Sequence, residues 1–189
     1  MLKLIQKIKK YKQEKIFYQY IAQHKKRILR AFYEMMRCKD LEWIIQDPTI
    51  FNTLWIRALE HDDDWYESPY FETFRQYFYP INQKEKNKII PKFAKLQEEY
   101  KQSHTYCWQS RLNKTEMTTE LEIDCLEEIM SWLADSYITG TRPYKVYESL
   151  LDSKIPKKQL EFFRKCTYEG IDKTYLLLQE GKIDVLDIL

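Results

Sequence analysis

Residues 2–38 read LKLIQKIKKYKQEKIFYQYIAQHKKRILRAFYEMMRC and contain neither glycine nor proline. Apolar side chains recur in this stretch at steps of three and four residues, which is the spacing of one face of an α-helix. The phase of that spacing shifts between Tyr11 and Ile16. The stretch therefore predicts helix throughout, as either one long helix or two, and a short helix is expected next, around residues 41–45.

Residue patterns typical of helix N-termini predict three separate helical segments in the middle of the chain. Asp47-Pro48 pairs a capping carboxylate with proline at the first helical position and predicts a helix to about residue 59. Ser68-Pro69 repeats the signal and predicts a helix to about residue 79. Asn82 is expected to cap a basic helix that Pro91 interrupts, because proline clashes with the preceding turn. Helix is expected to resume over residues 92–111.

The C-terminal part carries similar signals. Thr119 and Glu122 form a capping-box pattern, and Gly140 is suited to the left-handed cap at the end of that helix. Further helices are expected over 143–151 and 156–168, with Gly170 separating the latter from a helix over 172–180. The tail 182–189 alternates apolar and polar residues, which predicts a short extended arm.

These patterns together predict the fold class. The chain has only three glycines in 189 residues, and none before Gly140, whereas tight turns between strands usually need glycine or asparagine. No linker rich in Gly, Ser or Pro divides it. We therefore expect an all-α protein, a single domain over residues 1–189, built as an irregular orthogonal bundle of about seven to nine helices.

The composition of the chain indicates its cellular compartment and restricts the kinds of metal and catalytic site that we expect. The N-terminus has lysines every two to four residues and so lacks the apolar core of a signal peptide, and no apolar run approaches the length of a membrane span. We expect a cytoplasmic protein whose four cysteines are buried thiols. His104 and Cys107 share a helical face, but only Cys125 offers an obvious third zinc ligand, so a zinc site is not favoured. No phosphate-cradling or nucleophile motif occurs, and no cofactor is expected.

Charge is segregated although the net charge is only +2. Residues 1–30 sum to +9 and residues 116–152 to −7. The basic first helix is compatible with a nucleic acid or an anionic membrane surface, or with a solvated face whose lysine stems cover the core. The acids of the helix expected over 116–135, including Asp124 and the pair Glu127-Glu128, are expected to face outward.

The acidic segment between two predicted helices is the first candidate site. It begins after His61 and comprises Asp62, Asp63, Asp64, Trp65, Tyr66 and Glu67. Exposed aromatic side chains beside carboxylates suit an interface for a basic protein, since aromatic anchors supply binding energy and charge steers the encounter. We expect a non-enzymatic protein-binding function, with an immunity or antitoxin-type inhibitor of a basic toxin such as a nuclease as the concrete hypothesis.

A second hypothesis starts from four residues. His24, the doublet His61-Asp62 and the distant Asp135 stand in an order and rough spacing similar to the ligands of HD-type metal-dependent phosphohydrolases, which are all-helical. The likeness covers roughly residues 20–140. It implies that these four residues hold a metal that activates water and polarises phosphate. It departs from the family pattern after the doublet, where Asp63, Asp64 and Trp65 replace small residues.

Overall fold

The computed structural model describes residues 2–103 and 116–175, with side chains described for residues 4–99 and 116–175. Within these ranges the protein is all-α, with no strand, as predicted. Eight α-helices are described: α1 (Leu2–Met36), α2 (Glu42–Gln46), α3 (Pro48–Glu60), α4 (Tyr70–Phe78), α5 (Gln83–Ser103), α6 (Thr119–Thr139), α7 (Pro143–Ser149) and α8 (Lys157–Arg164). No helix in the described part is long and apolar enough to cross a membrane.

The described residues fall into two compact units. The first contains residues 2–25 and 60–103, and the second contains 26–59 and 116–175. The first unit has an aromatic core around the buried side chains of Phe17, Ile21, Phe74, Phe93 and Leu96. The second has a larger aliphatic core, to which α6 contributes Leu121, Cys125, Leu126, Ile129 and Leu133. The expected single domain stays a prediction.

The caps show how the sequence places helix ends. Asp47 Oδ1 accepts hydrogen bonds from the amides of Thr49 (2.9 Å) and Ile50 (3.2 Å), so it caps α3 as predicted. Gly140 ends α6 with a φ of 73°, in the left-handed region that glycine adopts without strain. At the start of α6 the predicted cap is off by one residue, because Thr118 Oγ1 accepts the bond from the Leu121 amide at 3.3 Å.

The open question about residues 2–38 is resolved as one helix, since α1 runs without a break from Leu2 to Met36. Two predicted interruptions are wrong. Pro91 lies inside α5, which continues through it. Gly170 does not separate two helices either, because α8 leads directly into a π-helical segment, Lys165–Asp172.

Gly170 has a packing role instead. A Cβ at this position would lie 3.4 Å from the side chain of Leu41 and 3.4 Å from the Lys165 carbonyl oxygen. Both distances are at the short end of ordinary van der Waals contact, so residue 170 packs directly against Leu41. The predictions for Gly181, for the helix end near residue 111 and for the tail 182–189 fall outside the described residues.

Candidate metal centre

His24 occupies a fixed position on α1 because the buried face of that helix runs through it. Phe17, Ile21 and His24 follow one another at steps of four and three residues, so all three lie on the same side of the helix. Phe17 and Ile21 are fully buried in the aromatic core of the first unit, and the His24 side chain is 12% exposed. The imidazole therefore sits at the edge of this core.

His61 and Asp62 come from the turn that follows α3. Asp62 adopts a φ of 56° and a ψ of 24°, the left-handed conformation that Asp tolerates better than most residues. Its carbonyl oxygen accepts a hydrogen bond from the Trp65 amide at 3.0 Å, which closes a short 3-10 turn, Asp63–Tyr66. The turn directs the His61 and Asp62 side chains toward α1, where they meet His24.

The three side chains converge. Asp62 Oδ2 lies 3.3 Å from His24 Nε2 and 3.7 Å from His61 Nε2, and one ligand atom from each residue falls within 4.8 Å of the other two. Metal–nitrogen and metal–oxygen bonds of about 2.1 Å at tetrahedral angles hold ligand atoms about 3.4 Å apart. The two distances to Asp62 therefore fit ligands of one cation.

Aromatic neighbours hold the His24 ring in place. Tyr20 stacks on it with ring centroids 6.4 Å apart and an interplanar angle of 9°, and Trp65 stacks with centroids 6.4 Å apart and an angle of 12°. The His61 ring centroid is 5.5 Å from that of His24. Tyr20 was missed by sequence reasoning, although its position one turn before His24 places both on one helical face.

The side chains of all three residues are only partly exposed, between 10% and 15%. Partial burial lowers the local dielectric and strengthens the attraction of Asp62 for a cation. Two imidazoles and one carboxylate are a donor set that suits first-row divalent metals such as Mn²⁺, Fe²⁺, Co²⁺, Ni²⁺ and Zn²⁺. Three protein ligands leave at least one position for water or substrate, as in catalytic rather than structural sites.

Asp135, the fourth residue of the HD-type pattern, is not one of the three clustered residues. It lies in α6, in the second unit, and its side chain is exposed. His104 and Cys107, the weaker zinc pair, lie outside the described residues. Cys125 is fully buried in the core of the second unit.

The acidic segment is divided among different environments. Asp62 belongs to the His cluster, and Asp63 forms an ion pair with Lys25 of α1. Asp64 is half-buried, and Glu67 is exposed. The aromatic side chains face the core of the first unit: Trp65 packs edge-on against Phe74 with centroids 4.9 Å apart, and Tyr66 stacks on Tyr18 at 6.0 Å.

Trp65 also brings a polar atom into this region. Its indole Nε1 is buried and has no hydrogen-bond acceptor among the described residues. The ring stacks on Phe17 with centroids 6.5 Å apart as well as on His24. Any change in charge or ligation at His24 is therefore adjacent to a fluorescent side chain, which provides a direct optical probe of the site.

The aromatic residues of α4 are buried to different extents. Phe74 is buried, whereas Phe78, one turn later, is 43% exposed. Tyr77 stacks on Phe93 of α5 with centroids 3.7 Å apart and parallel planes. The core face of α4 therefore includes Tyr77, because α5 supplies Phe93 as its partner.

No known protein-family model matches the chain, and neither a curated protein nor a solved structure is detectably similar to it. Its function is therefore inferred from the geometry and chemistry of its own residues.

Proposed function

We propose that the protein is a metal-dependent hydrolase that binds one divalent cation through His24, His61 and Asp62. The observation that carries this proposal is the convergence of their ligand atoms within 4.8 Å, from two segments that are far apart in sequence. The phosphate-ester class of substrate comes from the HD-type resemblance, of which the cluster contains His24, His61 and Asp62 but not Asp135. A divalent metal at such a site supplies a water nucleophile at neutral pH and polarises a phosphoryl oxygen.

The chain's own residues prepare the site for that chemistry. Stacking by Tyr20 and Trp65 restricts the orientation of the His24 imidazole. The left-handed turn at Asp62 sets the direction of its carboxylate. The exposed Lys25–Asp63 ion pair lies next to this turn but outside the cluster of ligands. A preorganised set of ligands binds metal without a large loss of conformational entropy.

Adjacent carboxylates in the same turn offer a matched pair of variants. Asp62→Asn keeps the side-chain shape and tolerates the left-handed backbone, but it removes the charge that the cation needs. Asp63→Asn removes the neighbouring charge without touching the cluster. After incubation with Mn²⁺, Co²⁺ or Ni²⁺ and desalting, elemental analysis should find about one ion per chain in the wild type and Asp63→Asn, and little in Asp62→Asn or His61→Ala.

Trp65 supplies an independent readout. The chain has five tryptophans, so titration with Co²⁺ or Ni²⁺ should quench the part of the total tryptophan fluorescence that comes from Trp65 in the wild type, and much less in Asp62→Asn. Absence of both bound metal and quenching in the folded wild type would overturn the metal site. Stoichiometric metal without hydrolysis of bis-p-nitrophenyl phosphate or p-nitrophenyl phosphate would retain the site and remove the phosphohydrolase assignment.

A second proposal keeps the acidic segment as a surface for a basic protein, with an immunity or antitoxin-type inhibitor as its concrete form. The supporting observation is that Asp63 and Glu67 remain exposed. Asp62, Trp65 and Tyr66 contribute less to such a surface, because they pack within the first unit. The test is the double variant Asp63→Lys/Glu67→Lys against the protein encoded by the adjacent gene, measured by calorimetry. Unchanged affinity, or no binding by the wild type, would remove this proposal.

A further inference from the structure

The first turns of α1 carry an exposed apolar face. Leu4 is 63% exposed, Ile5 44%, Ile8 49% and Tyr11 68%. All described side chains from residue 4 to residue 12 are in fact exposed. The unpacked end of a helix is less stable than its packed part, because packing of an apolar face provides most of the stability of protein helices. This segment is therefore expected to gain stability from a surface that covers it.

The exposed face is not a continuation of the core face. Leu4 precedes the buried Phe17 by thirteen positions, and Ile8 precedes the buried Ile21 by the same number. At about 100° per residue, that spacing turns the exposed pair about 140° away from the buried pair. This rotation accounts for the shift in apolar phase between Tyr11 and Ile16. The apolar side chains of the first turns therefore cannot join the aromatic core by extension of the same stripe.

Lysines occupy most of the remaining helix surface here, and Lys12, one turn after Ile8, lies at the edge of the segment within the apolar sector. Lys7, Lys9 and Lys10 flank or oppose the apolar side chains, and the first acid in the sequence is Glu14. Lys10 lies 3.6 Å from Glu14 and 3.3 Å from Glu72, while Lys7 and Lys9 are exposed. A helix that combines an apolar sector with a basic sector is typical of segments that lie in the interface of an anionic membrane.

We propose that residues 4–12 of α1 dock on an anionic lipid surface. Leu4, Ile5 and Ile8 insert at the level of the acyl chains, and Lys7 and Lys9, which flank them on the helix, contact the headgroup phosphates. Lys10 lies on the opposite side of the helix, where it pairs with Glu14 and Glu72. A nucleic acid would use the same lysines but would leave the three aliphatic side chains in water. A second copy of the chain would cover the aliphatic side chains but would bring two sets of lysines together. Of these three occupants, the lipid surface is the one that satisfies both sectors.

The test uses the full chain and co-sedimentation with vesicles. One set contains three parts phosphatidylcholine to one part phosphatidylglycerol, and the other contains phosphatidylcholine alone. The wild type should bind the anionic vesicles and bind the neutral ones at least tenfold more weakly. Leu4→Glu/Ile8→Glu should lose at least tenfold in affinity for the anionic vesicles. Ile138→Glu is the matched control, since Ile138 is 63% exposed at the end of α6, and it should bind like the wild type.

Several results would overturn the proposal. They are failure of the folded wild type to bind anionic vesicles, equal binding by Leu4→Glu/Ile8→Glu, and loss of binding in Ile138→Glu. Tighter binding to duplex DNA or RNA than to vesicles would assign the basic sector to nucleic acid instead. A dimer that Leu4→Glu/Ile8→Glu dissociates would assign the apolar sector to self-association. Circular dichroism checks that each variant is folded, and none of these outcomes bears on the metal site.

Discussion

Arg57 connects α3 to α6 through a buried ion pair in the second unit. Its Nη1 lies 2.7 Å from Asp124 Oδ1 and 3.2 Å from Glu127 Oε2, and the Arg57 and Asp124 side chains are 7% and 0% exposed. The expectation that the acids of this helix face outward is therefore wrong for Asp124. Burial of that carboxylate is tolerated because a guanidinium from another helix compensates its charge.

Removal of one partner should be strongly destabilising. Arg57→Met leaves the buried Asp124 charge without its guanidinium, which is expected to lower the free energy of unfolding by about 3–5 kcal/mol. Urea denaturation at neutral pH measures the change. The double variant Arg57→Met/Asp124→Leu replaces both charges by apolar groups and should recover most of the loss. A double variant no more stable than Arg57→Met would contradict this account.

Glu72 shows how burial and hydrogen bonding compete for one carboxylate. Partial burial raises its pKa, but hydrogen bonds from Gln76 and Arg75 outweigh that effect and leave the pKa below its ordinary value of 4.5. Arg75 itself is fully buried, with Nη2 at 3.1 Å from Glu72 Oε1 and 2.9 Å from Glu85 Oε1. Glu72 therefore contributes to stability as an anion that neutralises a buried cation.

The pH dependence follows from the direction of that shift. The folded protein binds the Glu72 proton less tightly than the unfolded chain does. The contribution of ionised Glu72 to the free energy of unfolding is therefore fully present above the unfolded pKa of 4.5. It is lost as the pH falls through the lower pKa of the folded protein. Glu72→Gln should therefore lower the free energy of unfolding at pH 7, and the difference from the wild type should shrink below about pH 4. A difference that is constant with pH would exclude this ionisation as its cause.

At the scale of the element, α5 includes a proline that sequence rules place at a helix break. Pro91 is exposed, and the helix continues on both sides of it. The next buried residues, Phe93 and Leu96, pack in the aromatic core of the first unit. Their burial stabilises the second half of α5. This stabilisation offsets the loss of one backbone amide donor at Pro91 and the steric clash of its ring with the preceding turn.

Pro91→Ala should consequently stabilise the protein. The substitution restores one helical hydrogen bond and removes a poor helix former at an exposed position, so the free energy of unfolding should rise by about 1–3 kcal/mol. Thermal denaturation followed by circular dichroism measures the change. Lys92→Ala is the matched control, since Lys92 is the exposed neighbour and should change stability by no more than about 0.5 kcal/mol. Unchanged or lower stability of Pro91→Ala would argue against a continuous helix.

The ends of helices were more predictable than their interruptions. The Asp47 cap and the Gly140 termination depend on groups within a few residues of each other, so local sequence suffices to identify them. The roles of Pro91 and Gly170 depend on distant partners. Gly170 packs against Leu41, a contact that no local pattern indicates.

At the scale of the whole molecule, the reactivity of the cysteines measures how accessible the core of the second unit is to solvent. Cys38, Cys125 and Cys166 are free and buried, as predicted, whereas Cys107 lies outside the described residues. Burial raises the pKa of Cys38 and of Cys166 to about 12 and raises that of Cys125 further. At neutral pH these three thiols are therefore protonated as well as shielded.

A thiol reagent should distinguish the folded from the unfolded protein. In the variant Cys107→Ser, Ellman's reagent at pH 8 should find almost no reactive thiol in the folded protein and three per chain in guanidinium chloride. The reaction rate in water then measures how often the core of the second unit opens. Fast reaction of any thiol in the folded variant would show that this core is open to solvent.

The helical class, most helix starts and the candidate set that includes His24, His61 and Asp62 follow from the sequence alone. These features depend on spacing, caps and residue chemistry over a few positions, which a linear pattern retains. The contacts between charged side chains depend on the tertiary fold. It joined His24 to the His61–Asp62 turn, paired Asp63 with Lys25 and buried Asp124 against Arg57. The physical reason is that a charge is buried or exposed according to the partner a distant segment brings.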